Sequence, residues 1–511
     1  MKLLVSNRGR PALRAAFFLA LAVFCAGLSM AQNQDLAALS RTVRQLMADG
    51  HFEEAIPICE QLVKAMPGNP GLVLNLGLAE EMAGHPGKAV PRFEEVLKVE
   101  PENTPALTSL ATVQLQLNHP QLALPPLKKL LTLEPSNHKA RGMLAGALMG
   151  VELFDEAAAQ YRKLTAEDAT DAKAWYGLGT AYESLAAHSF ERISQHAPDS
   201  PYAAALIAYS RLDRQQYRSA FFFFRLAEEK LPKLRGLHAG LAKVYQETGH
   251  AEWAAIEEKE EESLPPPSCS AGPAECYFVQ NRYLESAKAA AMDPTAPSLF
   301  WGAKAYHQLA LEAFARLGGL PESVELHAVK AKILHGHNQD IEAANEWRAA
   351  LRLAPGNRGL ESELATSLFL AHDYKPAMAL IEELLPRDAS SPDLNFMMGE
   401  SLLRTEQPDK AVSYLETALR ADNKMMPAHA SLGLALAKLD RGGDAIPHLE
   451  KALTLDDDGS LHYTLARAYQ QAGNLQRSRE LMEAYQRIQK QNREQKDELA
   501  KDTQIAAPAG N

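Results

Sequence analysis

The sequence predicts an all-α fold, a solenoid of about twelve helical hairpins with one irregular insert near the middle. Three observations carry this. Small residues recur every 34 positions, as Ala55, Ala89, Ala123 and Ala157 and again as Ala343, Ala377, Ala411 and Ala445. A second small-residue series keeps the same phase, at Gly77, Ala111, Ala145 and Gly179 and at Ala331, Ala365, Gly399 and Gly433. Of the 511 residues 46% are apolar but only 7% aromatic. Ala and Leu dominate that apolar fraction, so the residue types that strands favour are thin.

Proline completes the pattern. Pro67, Pro101, Pro135, Pro232 and Pro355 each stand twelve residues beyond the Ala of a unit. Proline lacks a backbone donor and clashes with the preceding turn, so it stops a helix there. Two antiparallel helices approach closely only where the facing side chains are small, and Gly77 with Ala89 is expected to be one such crossing. Gly50, Gly84, Gly249 and Gly473 suit the left-handed turn between the two helices. Small, small and Pro at this spacing resembles the tetratricopeptide repeat, a 34-residue helical hairpin, over about four fifths of the chain. Units begin near residues 36, 70, 104, 138, 172, 201, 235, 324, 358, 392, 426 and 459. The unit at 172 carries no small residue in phase on its second helix, which is expected to be short.

In chain order the first element is a leader. Lys2, Arg8, Arg10 and Arg14 precede an apolar run from Ala15 to Leu28 and the step Ser29-Met30-Ala31, the pattern of a secretion signal over residues 1–31. The run has 14 residues where a bilayer span needs roughly 20, so cleavage after Ala31 is expected rather than anchoring. An N-terminal solenoid then covers 32–264. The stretch from Leu264 to Pro273, LPPPSCSAGP, cannot continue a helix, and 265–297 reads as an insert with one helix, Glu275 to Met292. Within it Cys269 and Cys276 are a candidate disulfide, the alternative being two free thiols, while Cys59 reads as a small buried residue. A C-terminal solenoid covers 298–490, and 491–511 reads as a polar end with a loose tail. A longer duplication matches Tyr182, Leu185, Ala186 and Phe190 with Tyr306, Leu309, Ala310 and Phe314.

Charge narrows the function. The formal net charge is −11, and the leader holds four cations and no anion, so the chain without it carries −15. An acidic chain without a basic, aromatic-interleaved stripe repels phosphate backbones, which argues against nucleic acid. Beyond the leader no segment is apolar enough to span a bilayer. Gly177-Leu178-Gly179 lies in a helical unit and lacks the third glycine of a dinucleotide loop. His335-Gly336-His337 falls at a turn without further ligands, and Asp456-Asp457-Asp458-Gly459 lacks calcium-loop spacing, reading instead as a solvated turn with an Asp cap. No metal, cofactor or catalytic set is expected, and the chain is read as no enzyme. The acidic run Glu257–Glu262 reads as an exposed helix face. Of Phe221–Phe224, two or three can face a core, leaving at least one at an edge.

The resemblance implies a right-handed superhelical solenoid whose concave wall is lined by the first helix of each pair, with ligand contacts at fixed positions. Those positions hold Leu74, Leu78, Thr108, Thr112, Tyr176, Thr180, Tyr202, Tyr209, Lys243, Lys332, Phe396 and Glu400. They lack the Lys and Asn arrangement with which some members bind C-terminal carboxylates, and suit a helix or strand held by side-chain packing. The expectation is an interaction scaffold in the periplasm of a bacterial envelope, binding partner proteins. A structural spacer in a secretion or envelope complex, and an accessory to a carbohydrate-handling enzyme, are the alternatives.

Overall fold

The structure, a computed structural model, describes residues 35–293 and 295–508, with the backbone alone for 497–502. The expected secretion signal lies outside the described residues. Twenty-six α-helices and two short 3-10 turns follow one another, and no strand occurs among the described residues. Packing divides the chain into two compact units, 1–181 and 182–511.

The first unit is built of consecutive hairpins. They pair α1 (35–48) with α2 (Phe52–Ala65), α3 (Pro70–Met82) with α4 (Pro86–Val99), α5 (Thr104–Gln116) with α6 (Pro120–Leu133), and α7 (His138–Gly150) with α8 (Phe154–Glu167). Each helix packs on its neighbours in the chain, so a hairpin that could not bury its apolar face alone buries it against the next. α2, α4 and α6 stop two residues short of Pro67, Pro101 and Pro135, as that residue's missing donor dictates. The following helices begin on an Asn cap: Asn69 accepts from Gly71 and Leu72, Asn103 from Ala106 and Asn137 from Ala140.

The turn inside each hairpin is left-handed at one position. Gly50 and Gly84 hold it with φ of 79° and 85°, but Asn118, Glu152, Gln215, Asn338, His372, Glu406 and Asp440 adopt it with φ of 56–60°. Side chains other than glycine therefore carry the cost of a left-handed conformation here.

The expected Gly77–Ala89 crossing is refined in its nearest contact. A Cβ at Gly77 would lie 2.8 Å from Phe93 Cε1, so the small residue makes room first for the ring sixteen positions later. The arrangement repeats at Gly399 against Leu415 and at Gly433 against Leu449. Ala89 is itself fully buried beside Phe93.

The unit expected at 172 is also corrected. It is one uninterrupted helix, α9 (Ala172–His196), because no Gly or Pro follows Gly179 to break it before Pro198. The division between the two compact units falls within it.

The second unit continues with α10 (Pro201–Asp213) and α11 (Tyr217–Lys230), then α12 (Leu237–Glu247) and α13 (Ala251–Ser263). The segment expected to hold one helix from Glu275 to Met292 holds a hairpin instead, α14 (Pro273–Val279) and α15 (Tyr283–Met292), turned at Asn281 with φ 58°. Cys269 and Cys276 are bonded at its start, with Cα atoms 5.1 Å apart. α16 (Ala296–Gly318) is again a single long helix, and it is the one that duplicates α9. The matched Tyr182 and Tyr306 stack on each other at 6.2 Å. Hairpins α17 (Val324–Gly336) with α18 (Asp340–Leu353), α19 (Arg358–Leu370) with α20 (Tyr374–Leu384), α21 (Pro392–Arg404) with α22 (Pro408–Ala421), and α23 (Met426–Lys438) with α24 (Gly442–Ala452) follow. α25 (Ser460–Gln471) with α26 (Leu475–Asp502) closes the series. First helices of successive pairs touch: α10 meets α12, α19 meets α21, and α23 meets both α21 and α25.

Candidate protein-binding groove

The twelve sequence-chosen positions spread over seven helices. Leu74 and Leu78 are half-buried against Val73, Phe93 and Val113. Thr108 and Thr112 spend their hydroxyl hydrogens on carbonyls one turn back, at Thr104 and Thr108. Tyr176 and Thr180 are half-buried on α9. Lys243 and Lys332 are exposed, the former 2.7 Å from Glu247. Tyr202 and Tyr209 share one hydrophobic cluster on α10.

Tyr209 is committed internally. Its hydroxyl donates to the Gly236 carbonyl at 2.6 Å, and its ring meets Phe224 edge-on at 5.0 Å. The Lys304 ammonium sits 4.0 Å from its centroid and within 5.6 Å of the rings of Phe278, Phe300 and Trp301. Burial pushes that amine down to about 8, against the pull of Glu261 and Asp213.

Phe396 and Glu400 lie on α21, one of three first helices that share a depression, but neither lines it. A cleft of about 440 Å³ runs over α21, α23 and α25, with Leu403, Leu434, Ala437 and Ala468 as apolar lining and Arg404, Lys438, Tyr463 and Arg467 beside them. The volume suits a few side chains rather than a whole small domain. Glu400 is buried and fixed from both sides: it accepts from Arg404 Nε at 2.7 Å and from the Ser431 hydroxyl at 2.5 Å. Lys438 reaches Glu406 at 2.9 Å. Arg467 is exposed, and Tyr463 keeps 41% of its surface. Leu434 and Arg467 occupy the same register as Glu400, 34 and 67 residues on, and Tyr463 that of Phe396. Extending the repeat phase past residue 400 would have found them.

Other polar clusters serve the stack itself. His238 Nδ1 lies 2.7 Å from Glu257 and 3.6 Å from Glu228, and its Nε2 donates to the Pro232 carbonyl at 3.2 Å. The ligand atoms of these three side chains lie within 4.8 Å of one another. Yet Arg225 already neutralises Glu228, and the same nineteen-residue step joins His327 to Glu346 and His429 to His448. It is a device of the repeat: His238 and His429, like Arg141, Trp175 and Asn395, donate to the carbonyl six residues earlier, where the previous pair ends.

The acidic run is corrected accordingly. Helical spacing turns Glu257 and Glu261 inward, the second accepting from the Gly236 and Ala239 amides at the start of α12, while Glu258, Glu260 and Glu262 stay exposed. Asp456 is buried rather than solvated, and caps α25 through the Leu461 and His462 amides. His335 and His337 turn to different partners, Asp340 and the Asp213 carbonyl. Phe221 and Phe224 are buried while Phe222 and Phe223 are half-exposed, the division expected of four successive aromatics. Cys59 is 1% exposed, its thiol pushed up to about 11 by burial and then by Glu80.

Known proteins echo the repeat more than any activity. A family model described as tetratricopeptide repeat matches residues 143–188 and 432–493, and one described as anaphase-promoting complex, cyclosome, subunit 3 matches 371–452. No curated protein matches the chain. Among solved structures, MamA of Desulfovibrio magneticus RS-1 is 23% identical, over 29% of this chain and 82% of its own, with TM-score 0.28. YrrB, described as a TPR protein with an unusual peptide-binding site, is 21% identical over 33% of this chain and 87% of its own, with TM-score 0.29. A tetratricopeptide repeat protein of Parabacteroides merdae ATCC 43184 is 13% identical over 66% and 99%, with TM-score 0.32. The family matches and the succession of helical pairs together identify a chain that carries tetratricopeptide repeats.

Proposed function

We propose that the chain is a protein-interaction scaffold, and not an enzyme, that holds partner segments in the cleft over α21, α23 and α25. The carrying observation is that cleft: an apolar lining beside a 41%-exposed Tyr463 and three cations, in a chain that is otherwise acidic. Of the cations, Arg404 and Lys438 are already paired with Glu400 and Glu406, which leaves Arg467 to meet a partner's charge. Such a site suits an extended or helical segment that offers an apolar anchor and a carboxylate. The bacterial envelope is the proposed location, supported by the basic and apolar leader pattern of residues 1–31 and by the bonded Cys269 and Cys276. The reading is tested with Tyr463→Ala and Arg467→Glu, each expected to weaken partner capture at least tenfold, on the order of a single anchor's contribution. Unchanged capture by both variants would refute the cleft. Fractionation of cells expressing the full chain tests the location, since recovery in the cytosol alone contradicts it.

A further inference from the structure

Within the tail expected to be loose, the described residues Thr503–Pro508 are docked. α26 pairs with α25, and the residues after it return to α12, 261 positions earlier in the sequence. There the Tyr245 hydroxyl donates to the Ala506 carbonyl at 2.7 Å, and Ile505 packs on the hydrophobic cluster that includes Leu241, Tyr245 and Ala254. Along the segment Thr503 and Ile505 turn toward the body, Gln504, Ala506 and Ala507 are exposed, and Pro508 is buried again. Anchors separated by exposed residues are what a peptide shows when it lies on a surface rather than inside a core.

We propose that the surface of α12 and α13 around Tyr245 is a second peptide-docking site, distinct from the α21–α25 cleft, which the chain's own segment Thr503–Pro508 occupies in cis. The contact has the form of a bound ligand more than of a core element: one aliphatic anchor, a hydroxyl holding one backbone carbonyl, and exposed side chains between them. The site reads backbone and one branched side chain, so the class of ligand it takes is an extended segment with a branched aliphatic residue followed by small residues and proline. Burial pushes the Tyr245 hydroxyl up to about 12, which keeps it a donor at neutral pH. Trp253, half-buried in the same cluster and stacked on His250 at 4.1 Å, braces the Tyr245 ring edge-on at 5.6 Å. Tethering gives the tail an effective concentration on the order of millimolar, so a free segment of the same kind binds only after the tail leaves. Access to the site is thereby controlled by the chain's own end.

The probe is a fluorescent synthetic peptide with the sequence of residues 502–511. The chain ending at Asp502 is expected to bind it saturably, and the full chain at least tenfold more weakly. A peptide carrying Ile505→Asp should not bind. Tyr245→Phe in the shortened chain keeps the ring in the core and removes the hydroxyl, and should weaken binding about three- to tenfold, the range of one hydrogen bond. Should the shortened chain fold poorly by circular dichroism, Ile505→Asp in the full chain replaces it: its tail should become open to carboxypeptidase and its site to the wild-type peptide. Absence of binding at millimolar peptide in a folded, tail-released chain overturns the proposal, as does equal binding of the Ile505→Asp peptide.

Discussion

Alanine in place of Gly433 separates packing from helix propensity. In the interior of a helix Gly→Ala ordinarily stabilises by about 1 kcal/mol. At Gly433, in the middle of α23, the added Cβ would lie 2.6 Å from Leu449 Cγ, 2.7 Å from Leu449 Cδ2 and 3.2 Å from the Leu449 amide nitrogen. Leu449 is fully buried and cannot swing aside, so overpacking costs about 1–3 kcal/mol. Helix gain offsets about 1 of that, leaving a net loss of about 1–2 kcal/mol. Gly146, in α7, has nothing within 4 Å of the same methyl, so Gly146→Ala should gain the full propensity term. Hydrogen exchange reads each helix locally, which a stack of near-independent repeats requires. Protection in α23 should fall about tenfold with Gly433→Ala, and protection in α7 should rise by a similar factor with Gly146→Ala. In a Leu449→Ala background the Gly433 substitution should turn neutral or stabilising, because the clash has been removed. Equal gains at both glycines in the native background would refute the idea that small residues mark the crossings.

Three further outcomes follow from the same structure. Glu152 is exposed at a left-handed turn with φ 60°, so Glu152→Gly should stabilise the α7–α8 hairpin by about 0.5–1 kcal/mol, after glycine's extra freedom in the unfolded chain is deducted; slower exchange in α7 and α8 is the readout. The hydrogen bond to Glu257 holds the His238 ring above its usual value, against burial and with help from the charges of Glu257 and Glu228. Its stabilisation is therefore complete below pH about 6.5 and is lost as pH rises through the raised folded value; exchange in α12 should quicken across that window, and His238→Gln should flatten the dependence. Gly84→Ala meets nothing within 4 Å yet must hold φ 85°, so it should cost about 1–2 kcal/mol, readable as earlier urea unfolding of the first unit.

Much of the fold was legible because the repeat is written in residue size. The phase of the small residues located the helix starts at Pro70, Thr104, His138, Arg358, Pro392 and Met426, and proline located the helix ends. α9 was misjudged for a physical reason: a helix continues unless something breaks it, and the stretch holds no breaker at the turn position. Inside the 265–297 segment the left-handed turn is held by Asn281 instead of glycine, as at Asn118 and Asn338, a weaker signal than glycine that the small-residue phase did not pick out. The candidate cleft was less legible. Phe396 and Glu400 came from the repeat phase but do not line it; Leu434, Tyr463 and Arg467, in the same phase, do, and only their juxtaposition across three helices distinguishes them from the other first-helix positions. Docking of Ile505 beside Tyr245 lies beyond sequence pattern altogether, because six residues carry no periodicity that specifies a surface 261 positions away.

Site-specific photocrosslinking tests the scaffold reading most directly. A crosslinking residue replaces Leu434, in the cleft, or Ser413, on the exposed side of α22, in the full chain. Covalent capture of a defined partner from position 434, abolished by Arg467→Glu and absent from position 413, is the expected result. Capture from 413 alone, or capture from 434 that persists with Arg467→Glu, would contradict the account.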